Sequence, residues 1–173
     1  MNRNASQQEI KAKALCVFQH EDKILVAEYN NAEKDLSFYR PMGGTIEFYE
    51  HSEDALEREI QEELNQPIKD LVLLGVIENR YYSKGKLKHE ILFIYDGRFL
   101  DESLYDQDTV VGYEVTSNRR FKGLWISIHD ILEGKFVLYP EDLLGLLVRT
   151  VFDPLEMHGE GLVEPFPLLS SRN

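Results

Sequence analysis

Between Glu47 and Glu63 the chain carries eight acidic residues: Glu47, Glu50, Glu53, Asp54, Glu57, Glu59, Glu62 and Glu63. Arg58 is the one firm positive charge among them. Like charges one helical turn apart cost roughly 0.2–0.5 kcal/mol per pair, so a helix does not collect them for its own stability. A hard divalent cation that takes oxygen ligands, magnesium above all, would reward the concentration. At roughly 100° per residue, Leu56, Ile60 and Leu64 form one apolar stripe. Glu59, Glu62 and Glu63 stand at i, i+3 and i+4 and share a face on its flank. Acids that border a buried stripe lie at a cleft edge, where partial desolvation strengthens their pull on a cation. A solvated acidic face is the competing reading of the helix taken alone.

The elements that must position these acids are written locally. Pro41-Met42-Gly43-Gly44 comes first, and two glycines let backbone approach a ligand closely. Ser52 reads as the helix N-cap, with Glu53 and Asp54 favourable in the first turn. Asn65 stands where a left-handed residue ends a helix, and Pro67 blocks continuation. Ala12 to Gln19 and Lys23 to Tyr29 read as a hairpin around His20-Glu21-Asp22. Ser37 to Met42 and Thr45 to Phe48 read as short extended pieces. Leu71 to Tyr82 and Leu87 to Phe99 read as long strands joined by Ser83-Lys84-Gly85-Lys86. Leu100 to Gly112 reads as a polar loop, and Tyr113 to Phe121 and Leu124 to Ser127 as extended. Helices are expected near Ile128 to Glu133 and Glu141 to Phe152, and residues 153–173 as an irregular tail. The order implies an α/β fold, a mixed sheet between helices.

The 173 residues suit one domain spanning 1–173, with its core at about 10–152. A net charge of −12 and a pI near 4.8 argue against nucleic acid or an anionic membrane as partner. A polyphosphate is not excluded, because bound metal reverses the field locally. One cysteine, Cys16, rules out an internal disulfide and reads as a buried strand residue. The polar start, MNRNASQQEIKAK, lacks a signal-peptide core, and no apolar run is long enough to span a bilayer. The expected location is the cytoplasm, and a homodimer is a further expectation.

Gly44, five residues, Glu50, seven residues, Arg58-Glu59-Ile60, one residue, Glu62-Glu63 resembles the Nudix hydrolase signature. Asn65 and Gln66 depart from it, since the family has glycine and an aliphatic residue there. Asn is the mildest replacement for a left-handed glycine, and Ile68 can take over the packing of Gln66. The resemblance implies a Nudix α/β/α sandwich with a mixed sheet over roughly Ile10 to Phe152. It implies that Glu59, Glu62 and Glu63, with the Gly43 carbonyl, hold one or more Mg2+ ions, for which Mn2+ substitutes. It pairs Arg58 with Glu50 as a structural clamp between glycine loop and helix, with Arg58 turned from the ligand face by helical phase.

The general base is left open between Glu62 and Glu63, with Glu90 and Glu114 as outside candidates. No acid precedes Trp125, itself a core residue, where many relatives carry one. His89 and Glu90 are neighbours on a strand, so only one of them faces the cleft. Arg40 and Gly44 are expected to meet the substrate, and Arg80, Lys84, Lys86 and Lys88 are further cations near by. Tyr81 and Tyr82 lie where the dinucleoside polyphosphate hydrolase branch carries a tyrosine, and Tyr82 could stack on a base. The expected activity is metal-dependent hydrolysis of the phosphoanhydride in a nucleoside diphosphate linked to another moiety, such as a dinucleoside polyphosphate. The alternatives are a nucleoside triphosphate pyrophosphatase of the same family, or a nucleotide-binding module of this fold without catalysis.

Overall fold

The computed structural model describes residues 9–31, 36–83, 85–114 and 118–152. Eight strands form the sheet: β1 (Ile10–His20), β2 (Lys23–Asn31), β3 (Leu36–Arg40), β4 (Met42–Thr45), β5 (Ile68–Ser83), β6 (Lys86–Phe99), β7 (Thr109–Glu114) and β8 (Arg119–Ser127). The helices are α1 (Ser52–Leu64), α2 (Ile128–Leu132) and α3 (Asp142–Phe152). The strand order is β5-β6-β1-β2-β8-β7, with β3 on β2 and β4 on β1.

β1 organises the sheet because Ala14 to Phe18 are all 0% exposed, an apolar run covered on both faces. It runs parallel to β6, from Ile10 opposite His89 to Phe18 opposite Gly97. Its other edge pairs antiparallel with β4, where Ala14 meets Gly44 and Leu15 meets Gly43. Alternation then sorts two cores. Ala14, Cys16 and Phe18 pack with Leu56, Ile60 and Leu64 of α1, while Leu15 and Val17 pack with Leu143 and Leu147 of α3. The sheet is therefore mixed and lies between helices, as the Nudix resemblance implies. Cys16 is buried in its strand, and no helix among the described residues is long and apolar enough to cross a membrane.

Four local readings change. Tyr113 to Phe121 is not one extended piece: β7 ends at Glu114 and β8, antiparallel to it, begins at Arg119. Ser52 is the first residue of α1 rather than its cap; His51 takes the cap position without a side-chain hydrogen bond. The Ser52 hydroxyl is drawn instead to the Tyr95 hydroxyl, 2.6 Å away on β6, so a tertiary partner wins over the local one. Leu100 to Gly112 is not a loop throughout. It holds a 3-10 turn over Glu102–Asp106 and the start of β7, whose pairing with β8 is non-local. Phe48 is not extended, since β4 ends at Thr45. Asn65 does end α1 in the left-handed region, at φ 54° and ψ 40°, and Ile68 is buried in the α1 core. The tail at 153–173 lies outside the described residues, as does Lys84.

Candidate metal and polyphosphate site

Arg58 ties the glycine loop to α1. Its Nε donates to Glu50 Oε1 at 2.9 Å and its Nη2 to Glu50 Oε2 at 3.0 Å, a bidentate pair. Nη2 also donates to the Thr45 carbonyl at 3.0 Å. The Glu47 N–H closes the turn on Glu50 Oε2 at 2.8 Å. The hydrogen bonds from Arg58, then that from Glu47, hold the Glu50 carboxyl below its ordinary range. Arg58 is pushed up in turn, chiefly by its bond to Glu50. The clamp expected from the Nudix resemblance is thus formed, with one difference. Arg58 does not turn away from the acids: its Nη1 lies 3.1 Å from Glu59 Oε1 and 3.6 Å from Glu62 Oε2.

The two glycines fit against the helix acids. A Cβ on Gly44 would stand 2.1 Å from the Glu59 carboxyl carbon, so Gly44 leaves the room that Glu59 occupies. Gly43 has φ 126°, and a Cβ there would meet the Ala14 carbonyl oxygen at 2.2 Å. The Gly43 N–H donates to Glu63 Oε2 at 3.3 Å, and Glu63 is only 6% exposed. Glu59, Glu62 and Glu63 are therefore gathered along the loop, but they do not close on one point. Among the described residues no three acidic, imidazole or thiol side chains converge as a metal cluster. Their chemistry nonetheless suits a hard cation, and a guanidinium already lies beside two of them.

Arg40 links this acid face to a second polar group. It ends β3 just before the loop, with its guanidinium 5.0 Å from the Tyr29 ring centre and Nη2 at 3.3 Å from the Tyr29 hydroxyl. Its Nε is buried without a hydrogen-bond partner among the described residues. Burial pulls its pKa down, but the fields of Tyr29, Glu63 and Glu90 outweigh that and raise it. Arg40 therefore feels both Glu63 of α1 and Glu90 of β6.

Glu90 is 5% exposed and fully engaged. Lys13 Nζ lies 2.8 Å from its Oε1. The Tyr81 hydroxyl donates to the same oxygen at 3.2 Å, and Asn79 Nδ2 to Oε2 at 3.2 Å. Asn79 also reaches the Tyr139 hydroxyl, at 2.6 Å. Burial raises the Glu90 pKa, but Lys13, Asn79 and Tyr81 together bring it below its ordinary value. A carboxylate so stabilised is a poor general base. His89 faces the other way, towards Glu78 at 3.0 Å. Tyr82 is 68% exposed and lines a surface cavity with Ile10, Arg80, Tyr81, Leu87 and His89. Alternation puts it on the face opposite Tyr81, so the structure does not bring it to Glu90 or Arg40.

Lys13, Tyr29, Asn79, Tyr81 and Tyr139 enter this network without having been singled out in sequence as its members. Lys13 and Asn79 carried a signal. They continue, at spacing two, the inward phases of Leu15-Val17 and Ile77, and a polar residue on an inward phase needs a partner.

The NUDIX domain model matches residues 10–144. Solved structures share the fold at low identity. One is a MutT NUDIX hydrolase from Burkholderia pseudomallei, 20% identical, with 70% of this chain and 86% of that one covered and a TM-score of 0.53. A NUDIX hydrolase from Nitrosomonas europaea is 19% identical, with 80% and 86% covered and a TM-score of 0.53. A mutator MutT protein from Bacillus halodurans is 17% identical, with 79% and 80% covered and a TM-score of 0.51. No curated protein matches the sequence. The chain belongs to the NUDIX family, hydrolases of pyrophosphate bonds in small nucleotides that generally use divalent metal ions.

Proposed function

We propose that this hydrolase cleaves the phosphoanhydride of a nucleoside diphosphate linked to a second group, a dinucleoside polyphosphate being the preferred form, with magnesium as cofactor and manganese as substitute. Glu59, Glu62 and Glu63, with the Gly43 carbonyl, would hold the metal. Bound there, it would neutralise the pyrophosphate and lower the pKa of a water. Glu62, at 46% side-chain exposure, is the most open of the residues around Arg58 and accepts the proton of the attacking water. Arg58 and Glu50 set the distance between loop and helix. The observation that carries the reading is the packing of the glycine loop on the helix acids, Gly43 N–H on Glu63 and Gly44 against Glu59, with Arg40 ending the strand just before the loop. The Arg40 Nε, buried without a hydrogen-bond partner among the described residues, suits a phosphate oxygen.

Glu62→Gln should lower turnover by two or more orders of magnitude and leave the fold intact. Magnesium titration of both proteins, with circular dichroism as control, reads this; equal turnover would remove Glu62 from the site. A screen of dinucleoside polyphosphates, nucleoside diphosphate sugars and nucleoside triphosphates, with magnesium and with manganese, separates the readings. Preference for triphosphates would favour a nucleotide-sanitising pyrophosphatase. Tight binding without turnover would identify a non-catalytic module. The net charge of −12 argues against nucleic acid and anionic membrane as partners, and a cytoplasmic location and a homodimer belong to the same reading.

A further inference from the structure

Phe48 and Tyr49 form the tip of the loop between Thr45 and α1, and both are fully exposed, at 101% and 99%. Their rings lie 6.5 Å apart at 37°. Single exposed apolar residues are common, but here two large aromatics are adjacent and one is strained. Tyr49 has φ 67°, a region that bulky side chains avoid and glycine enters freely.

The exposure does not come from a loose tip. The Ile46 N–H bonds the Ala12 carbonyl at 3.0 Å, and the Glu50 N–H bonds the Glu47 carbonyl at 3.2 Å. The bidentate Glu50–Arg58 pair and the Arg58–Thr45 bond fasten both ends of the turn. The chain thus holds a strained conformation on a fixed base and shows two rings to solvent. Strain retained in this way points to a use for the side chain. Arg58 gives the use a location, because the guanidinium that fixes the loop also touches Glu59 and Glu62.

We propose that Phe48 and Tyr49 are a stacking platform for an aromatic ring of the substrate on the far side of the cleaved anhydride, the second base of a dinucleoside polyphosphate. This rests on the function proposed above and adds a subsite distinct from the Arg40–Glu90 network. The platform contributes affinity and takes no part in bond cleavage. A base is a suitable occupant because stacking needs only a π face and no charge, and the two rings offer that on the loop that Arg58 fastens while touching Glu59 and Glu62.

The test is the full-length Phe48→Ala/Tyr49→Gly variant. Its KM for a dinucleoside tetraphosphate should rise roughly tenfold or more, the usual worth of a base–ring stack. Its kcat, and both constants for a nucleoside diphosphate sugar that lacks a second aromatic ring, should stay within about twofold of wild type. Tyr49→Gly alone should raise the melting temperature while weakening the dinucleoside, and Tyr49→Phe should behave as wild type. Equal effects on both substrates, or none on either, overturn the platform. So does a dinucleoside KM that depends on protein concentration, with a change in sedimentation, since the rings would then join two copies of the chain. Titration calorimetry of the dinucleoside tetraphosphate with calcium separates the two proposals. Binding that the variant loses, in a wild type that cleaves neither substrate, keeps the platform and overturns the reaction.

Discussion

The Glu59 carboxylate occupies the space that a side chain on Gly44 would need: a Cβ there would lie 2.1 Å from its Cδ. Gly44 and Glu59 stand fifteen positions apart in the chain, and the missing side chain at the first lets the carboxylate of the second lie against the backbone. Glu59 is the far end of a flexible side chain, so it can move aside. Gly44→Ala should therefore fold, melt near the wild-type temperature, and lose activity by roughly a hundredfold, the order expected of a 1 Å misplacement. Gly43→Ala should do the reverse and destabilise, because its clash is with the Ala14 backbone and its φ is positive. Thermal melts and kcat/KM on the two variants check the contrast, and an active Gly44→Ala would deny Glu59 its role.

Glu50 gives the clamp a pH dependence. Arg58 and the Glu47 N–H lower its folded pKa, so its contribution to stability is present above the unfolded value of about 4.3. It is lost as pH falls through the lowered folded value. Glu50→Gln should melt a few degrees below wild type at pH 7, and the two curves should draw together in acid as pH falls from the unfolded value through the lowered folded one. Melting temperatures across pH 3 to 8 read this, and a constant gap would mean that charge is not what Glu50 supplies.

Lys13 and Glu90 should be worth more to each other than to the fold. Glu90→Leu alone leaves a largely buried ammonium, 17% exposed at Lys13, and should cost roughly 3 kcal/mol. Lys13→Met/Glu90→Leu should recover only part of that: an apolar pair replaces the buried ion pair at little cost, but Asn79 and Tyr81 lose their acceptor. Denaturant melts of the single and double variants give the coupling. If the double variant is stable but its KM is raised, the network recognises substrate; if its kinetics are unchanged, the network serves packing.

Asn65 carries the helix stop. Asn65→Gly should be nearly neutral, since glycine enters the left-handed region freely but gives up the 2.8 Å bond from Gln61 Nε2 to Asn65 Oδ1. Asn65→Val should destabilise by roughly 1 kcal/mol or more, since a branched residue resists φ 54°. Equal melting temperatures for all three proteins would contradict the cap.

By itself the sequence determined what short spacing determines. The stripe Leu56-Ile60-Leu64, the acids on its flank and the stop at Asn65 belong to one helix, and the 3.6-residue period fixes their relations; the Glu50–Arg58 pair was implied by the resemblance to the Nudix signature. The same holds for the continuous apolar run of β1, which announces a strand covered on both faces. The tertiary structure decided what depends on partners far along the chain. Ser52 left its capping role because Tyr95, forty-three residues on, offered a hydroxyl. Glu90 rather than His89 faces the polar network because the register of β6 against β1 and β5 sets the phase of the strand. Asn79 meets Tyr139 across sixty residues, a contact that no local period encodes. Strand alternation gives each side chain one of two faces, and only the assembled sheet says which face looks into the cleft.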